Sequence, residues 1–160
     1  MVFRIQFNFM ELNLDHAMCG GKIQTFGKKN KINFVPVNHE EISSYFLFRN
    51  PFNHPTVFIR RKILNNKIKY NKNFFPAEDY ELWFKISQKN LVANIDEVLL
   101  FYRIHEKNTS KIHENLQLKS SLKIRKIIFK NYFNYDLNDS NNHIFEKINY
   151  NEKFDLNSLN

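Results

Sequence analysis

Glycine is nearly missing from this chain, at three residues in 160. A phosphate-cradling loop has almost nothing to be built from, and neither G-x-G-x-x-G nor G-x-x-x-x-G-K-[ST] occurs. Cysteine is scarcer still. The single Cys19 excludes an internal disulfide and a cysteine-based zinc site. Its place beside Ala17 and Met18 reads as a small buried hydrophobe rather than a reactive thiol. No apolar run approaches the ~20 residues that a membrane-spanning helix needs, and no signal peptide is visible. The expectation is a cytoplasmic chain.

Apolar matter is plentiful. Hydrophobic residues make up 42% of the chain and aromatics 16%, with seventeen Phe, which suits a packed core rather than disorder. The length suits one domain. The net charge of +8 implies attraction to something anionic: nucleic acid, anionic lipid or a phosphorylated substrate. The lysines and asparagines are spread along the whole length, however, and only the stretch after Ser110 concentrates Lys and Arg on a helix. The charge therefore reads as compositional bias before it reads as a binding patch.

"VFRIQFNFMELN" has helical spacing, with Ile5, Phe9 and Leu12 on one side. "DHAMCGGKIQTFG" predicts a short strand broken by Gly20-Gly21 and then a second extended piece. In "NHEEISSYFLFRN", Asn38 caps a helix with Glu40 and Glu41 in its first turn and Ile42, Tyr45 and Phe46 as its apolar face. Asn50-Pro51 ends that segment, because a residue before proline is pushed out of the helical region. "HPTVFIRRKIL" predicts a strand running into a brief helical turn. "VANIDEVLLFYRIH" predicts a strand pair or one bent strand. From Asn108 a long basic helix carries Lys119, Lys123, Arg125, Lys126 and Lys130. After Tyr135 the text is polar and aperiodic, which predicts a weakly ordered tail.

"PAEDYELWFKI" holds the most chemistry. Pro76 fits a helix start, and Glu78 and Asp79 then lie near the positive end of the helix dipole, which favours their charged form. Leu82, Trp83 and Ile86 fall three, four and seven residues after Asp79 and share its face. On these residues alone, a solvated pair of acids complementing the dipole is the favoured reading, since acids in a first helical turn are common for structural reasons. The same holds for His54 and His105, since an isolated histidine is more often structural than a ligand.

The blocks "NPFNHPTVFIRRKIL", "AEDYELWFKI" and "NIDEVLLFYRIHEKNTS", with "FRIQFNFMELN" and "AMCGG" before them, change that balance. In this order, from about Phe3 to Ser110, they resemble the second half of the catalytic domain of glycosyltransferase family 2, inverting sugar transferases of GT-A fold. The resemblance implies an α/β chain with a partial GT-A (nucleotide-diphospho-sugar transferase-like) fold and a C-terminal helical extension. Residues 1–110 would form the acceptor-side half and residues 111–160 the basic helix and Asn-rich tail.

It also implies roles. Asp79 would be the general base that takes the proton from an acceptor hydroxyl, and Glu78 would orient the helix start or contact the acceptor. His54 and Trp83 would line the acceptor cleft. Arg103 and His105 would hold the donor diphosphate, with His105 also a candidate ligand of its divalent metal. The implied partners are a nucleotide-sugar donor and a glycan or lipid-linked acceptor, in a route such as polysaccharide biosynthesis.

One part of the family pattern has no counterpart. The Asp-any-Asp motif that binds Mg²⁺ or Mn²⁺ is missing, and Asp136 and Asp139 have the wrong spacing. The expectation is therefore a fragment, or one part of a split enzyme whose donor half comes from a separate chain. It would not bind the metal and would be inactive alone. The rival reading is a basic module without catalysis, with Leu116, Ile124, Ile127 and Ile128 against an anionic membrane surface at its inner face. Nucleic acid ranks last, with charge alone behind it.

Overall fold

The computed structural model describes residues 2–28, 30–65, 68–105 and 112–137. The order of elements is α1 (Val2–Leu12), β1 (His16–Gly27), β2 (Lys31–Ile32), α2 (His39–Tyr45), β3 (Phe58–Ile59), α3 (Glu78–Ser87), β4 (Leu91–Ile104) and α4 (Glu114–Phe133), with single 3-10 turns between some of them. Together they make a mixed α/β architecture around a small open sheet. β1 is its centre. On one side it pairs antiparallel with β2 and β3, and on the other it runs parallel to β4.

Side chains alternate across the sheet, as a period of two requires. Met18 and Val92 enter a large core with Ile42, Phe46, Trp83, Ile86, Ile124 and Ile128, which packs α2, α3 and α4 on one face. Cys19, Ile95 and Leu99 enter a smaller cluster with Met10 of α1 on the other.

β1 is one continuous strand, and the break expected at Gly20-Gly21 does not occur. The two glycines serve close packing instead. A Cβ on Gly20 would lie 2.5 Å from Oδ1 of Asn94 and 2.8 Å from the Phe52 ring, and one on Gly21 would meet Leu99 at 2.5 Å. "VANIDEVLLFYRIH" is one bent strand, β4. It carries more residues than β1 between the same levels, so its register shifts near Gly21 and Lys22 and the excess is taken up as bulges.

The first helix forms where expected, with Ile5 and Phe9 packed partly buried against the smaller cluster as the spacing implied. Gln6 and Met10 are its most buried residues, and Leu12 is exposed. A glutamine can take the inner position because its Nε2 donates to the carbonyl of Thr56 at 2.5 Å. α2 keeps its expected cap, with the Asn38 side chain accepting from the N–H of Glu41, but it ends at Tyr45, well before Pro51. The strand expected in "HPTVFIRRKIL" shrinks to Phe58–Ile59 between two 3-10 turns.

α4 starts at Glu114; Asn108 and the tail from residue 138 lie outside the described residues. Ile124 and Ile128, expected on a membrane-facing side, are buried in the large core, whereas Leu116 and Ile127 are exposed. Arg125 is buried too, its Nη1 donating to the carbonyl of Phe48 at 2.7 Å. The proposed lipid-facing stripe thus loses two of its four apolar side chains, and the basic face loses its arginine. Among the described residues no helix is long and apolar enough to cross a membrane.

Several ties between elements run from a side chain to a main-chain carbonyl. The Tyr80 hydroxyl donates to Phe46, Tyr132 to Ser43 at 3.0 Å and Ser120 to Phe75 at 2.9 Å. Asn94, 1% exposed, donates from Nδ2 to the carbonyls of Pro36 and Pro51 at 2.8 and 3.1 Å.

Candidate functional site

The start of α3 is the centre of the site. Pro76, joined to Phe75 by a cis peptide, stands before the cap rather than in the first turn, and Ala77 takes the cap without a side-chain hydrogen bond. The carboxylate of Asp79 supplies what the cap does not, with its Oδ1 accepting from the N–H of Tyr80 at 2.7 Å. Behind it Leu82, Trp83 and Ile86 are all buried, as the shared face requires.

The second oxygen of Asp79 meets the loop that leaves α2. Its Oδ2 accepts from Nδ2 of Asn50 at 3.1 Å and lies 3.7 Å from Nδ1 of His54. The 3-10 turn His54–Thr56 holds that loop against β1, because the Thr56 hydroxyl donates to the carbonyl of Gly21 at 3.2 Å. Asn53 reinforces the hold by donating to the same carbonyl at 2.7 Å.

His54 is flanked by aromatic rings. Its centroid lies 5.9 Å from Trp83 and 6.0 Å from Tyr70, and those two rings are 6.2 Å apart. The Tyr70 hydroxyl is 3.1 Å from Nε2 of His54. Two polar atoms of the cluster, Nε1 of Trp83 and Oε2 of Glu78, are buried without a hydrogen-bond partner. An orphaned buried donor costs about 1–3 kcal/mol, so these two atoms call for a partner such as a bound water or a ligand group.

The electrostatics reverse one expectation. The helix start was expected to favour the charged form of Asp79, yet its carboxyl is pushed above the ordinary value near 3.8. Burial is the largest cause; the Tyr80 N–H and His54 pull the other way, and Glu78 adds to the rise. Only 19% of the side chain is exposed, so desolvation outweighs the dipole. A carboxyl displaced upward while still bonded to donors is a stronger base than a solvated one. The Tyr70 hydroxyl is also pushed up, by burial first and then by Asp79 and Glu78.

The structure thus brings together Glu78, Asp79, His54 and Trp83. It places Arg103 and His105 elsewhere. Pro51, next to Asn50, is held by Asn94 opposite Gly20, whereas Arg103 stands opposite Phe26. Six residues of β1, about 20 Å of strand, separate those levels, and neither side chain is among the groups acting on Asp79. Among the described residues, no three His, Cys, Asp or Glu side chains gather to hold a metal ion. Two open grooves, of about 480 Å³ beside α2 and about 410 Å³ between α1 and β3, are not lined by Asp79, His54 or Trp83.

Asn50 and Tyr70 were missed in the sequence. Asn50 opens the block "NPFNHPTVFIRRKIL" and precedes Pro51 there, but nothing in the text gives it a role, although it lies four positions before His54. Tyr70 sits in "KIKYNKN", which has no pattern to single it out.

The curated relatives of this chain are glycosyltransferases. An uncharacterized glycosyltransferase of Haemophilus influenzae is 32% identical over 100 residues, covering 62% of this chain and 31% of the relative. The O-antigen biosynthesis glycosyltransferase WbnJ of Escherichia coli is 38% identical over 77 residues, 46% of this chain and 30% of its own. The amylovoran biosynthesis glycosyltransferase AmsE of Erwinia amylovora is 26% identical over 128 residues, 78% of this chain and 48% of its own. The chain thus spans between about a third and a half of the length of these relatives. No family model matches it.

Proposed function

We propose that this chain carries the acceptor-binding, proton-accepting part of an inverting glycosyltransferase of family 2 and GT-A fold. The observation that carries the reading is the placement of Asp79: largely buried, raised in basicity, and bordered by Asn50 and His54, whose ring in turn meets the Tyr70 hydroxyl. An ionised carboxylate has about four acceptor sites, so oxygens bonded to Tyr80 and Asn50 can still receive a hydroxyl proton.

In the reaction, a hydroxyl of a glycan or lipid-linked acceptor enters beside His54. Asp79 takes its proton as the oxygen attacks the anomeric carbon, and the nucleoside diphosphate leaves from the opposite face. The relatives named for O-antigen and amylovoran biosynthesis support a polysaccharide route. This chain has no Asp-any-Asp motif; on this reading the Mg²⁺ or Mn²⁺ of the donor diphosphate would be held by a donor half. Arg103, near the end of β4, and His105, just past it, would reach the diphosphate from this side. The site would work in the cytoplasm or at the inner face of the membrane.

The test is a fusion. A donor half from a relative is joined ahead of Met1, and nucleotide-sugar turnover is assayed with divalent metal. The chain alone should give none and the fusion should turn over. Asp79→Asn should then remove about 10²–10⁴ of the rate with donor binding nearly unchanged. Full activity in that variant would return Asp79 to a helix-start acid.

A further inference from the structure

We infer that Tyr70 is a positioning residue: its hydroxyl commits the His54 ring to the tautomer that turns an Nδ1–H towards Asp79. The inference rests on the reading of Asp79 as the base and deepens it.

The geometry is a line of three groups, Tyr70 Oη to His54 Nε2 at 3.1 Å and His54 Nδ1 to Asp79 Oδ2 at 3.7 Å. In a neutral imidazole one nitrogen donates and the other accepts, and the partner of either fixes both. Asp79 offers only acceptors, so the nitrogen facing it does best as a donor. That leaves Nε2 to accept, and the neighbour there must donate. A tyrosine whose ionisation is pushed upward keeps its proton and meets that need. The reverse arrangement would set a lone pair of Nδ1 against a carboxylate.

The 3.7 Å separation is longer than a hydrogen bond. It is short enough to become one when a bound acceptor presses on the exposed His54 ring, as catalytic contacts often tighten on binding. Asn50 holds the same oxygen, Oδ2, from four residues earlier in the same loop. Between them Asn50 and His54 prevent the carboxylate from turning, because Oδ1 is already fixed by the Tyr80 N–H. Trp83 supplies the wall against which the Tyr70 and His54 rings both lie edge-on or tilted.

The experiment reads the tautomer directly. The 160-residue chain is labelled with ¹⁵N in histidine, and the ring nitrogens of His54 are observed by multiple-bond NMR correlation at a pH where the imidazole is neutral. The signals are assigned by their loss in His54→Gln. The expected result is a predominantly Nδ1–H ring, opposite to the Nε2–H form that exposed histidines ordinarily favour. Tyr70→Phe should shift the ring towards Nε2–H, and Asp79→Asn should do so as well. A wild-type ring in the Nε2–H form would overturn the inference, and so would a Tyr70→Phe ring unchanged from wild type. Neither outcome depends on turnover. If the fusion enzyme stays fully active with Asp79→Asn while the tautomer is as expected, the base assignment fails and the positioning role stands.

Discussion

Replacing Asn94 by alanine should destabilise the whole fold, and the size of the effect follows from three atoms. The amide Nδ2 is the donor shared by the carbonyls of Pro36 and Pro51, both on buried residues. Leaving a buried acceptor unsatisfied costs about 1–3 kcal/mol, so the two together cost roughly 2–6. An opposing contribution exists, because Oδ1 of Asn94 is itself buried without a partner. Removing that oxygen returns about 1–3 kcal/mol on the same scale. The net expectation is a loss of roughly 1–3 kcal/mol. With a urea slope near 2 kcal/mol/M, the unfolding midpoint should fall by about 0.5–1.5 M, measured by circular dichroism. The orphaned oxygen also explains its neighbour, since it occupies the space where a Gly20 side chain would be. Gly20→Ala alone should cost about 1–3 kcal/mol by overpacking. The double variant should lose less than the sum of the two, because the nearer of the two clashes has gone. A loss below about 0.5 kcal/mol for Asn94→Ala, the range of an ordinary surface change, would show that these bonds do not hold the two proline loops to the sheet.

Other substitutions test the remaining parts. Asp79 binds its proton more tightly folded than unfolded, so its contribution to stability falls as pH rises from about 3.8 towards its raised value. Asp79→Asn should therefore unfold at higher urea than wild type at neutral pH, with the difference vanishing in acid; a less stable variant at pH 7 would refute the burial argument. Burial pushes the Cys19 thiol to about 12, so a thiol reagent should label it only once the chain is unfolded, and rapid labelling of the folded protein would contradict its place in the core. Ile128→Ala should cost about 2–5 kcal/mol and Ile127→Ala less than about 0.5; equal losses would show α4 to be turned about its axis.

The elements visible in the sequence were those with a local cause. Asn38 and two acids announced α2, and the spacing of Leu82, Trp83 and Ile86 announced the buried side of α3. What the text concealed was set by distant partners. Gly20 and Gly21 signal a break by their own propensity, but Asn94, Phe52 and Leu99 decide that they stay extended. Gln6 is polar in the sequence and buried in the fold because Thr56, fifty residues away, offers a carbonyl. The site divides in the same way. Glu78, Asp79, His54 and Trp83 could be named from motifs, whereas Asn50 and Tyr70 are recognised only once folding brings them beside Asp79 and His54. The balance between helix dipole and burial at Asp79 is a matter of depth, and depth is not written in a spacing.

The ties from Tyr80, Tyr132, Ser120, Arg125 and Asn94 all end on main-chain oxygens. A carbonyl is present whatever residue carries it, and two of the acceptors here are prolines, which keep the oxygen while lacking an N–H. Evolution is therefore constrained on one side of each tie only. The donors must persist, while positions 36, 43, 46, 48, 51 and 75 can change identity without breaking the bond, limited only by their own packing. Of these, Phe48 and Phe75 are exposed and so carry little packing constraint. In lineages that drift apart under such an arrangement, substitutions should accumulate faster at the acceptor positions than at the donors, and a comparison of many sequences would read the ties as half-conserved pairs.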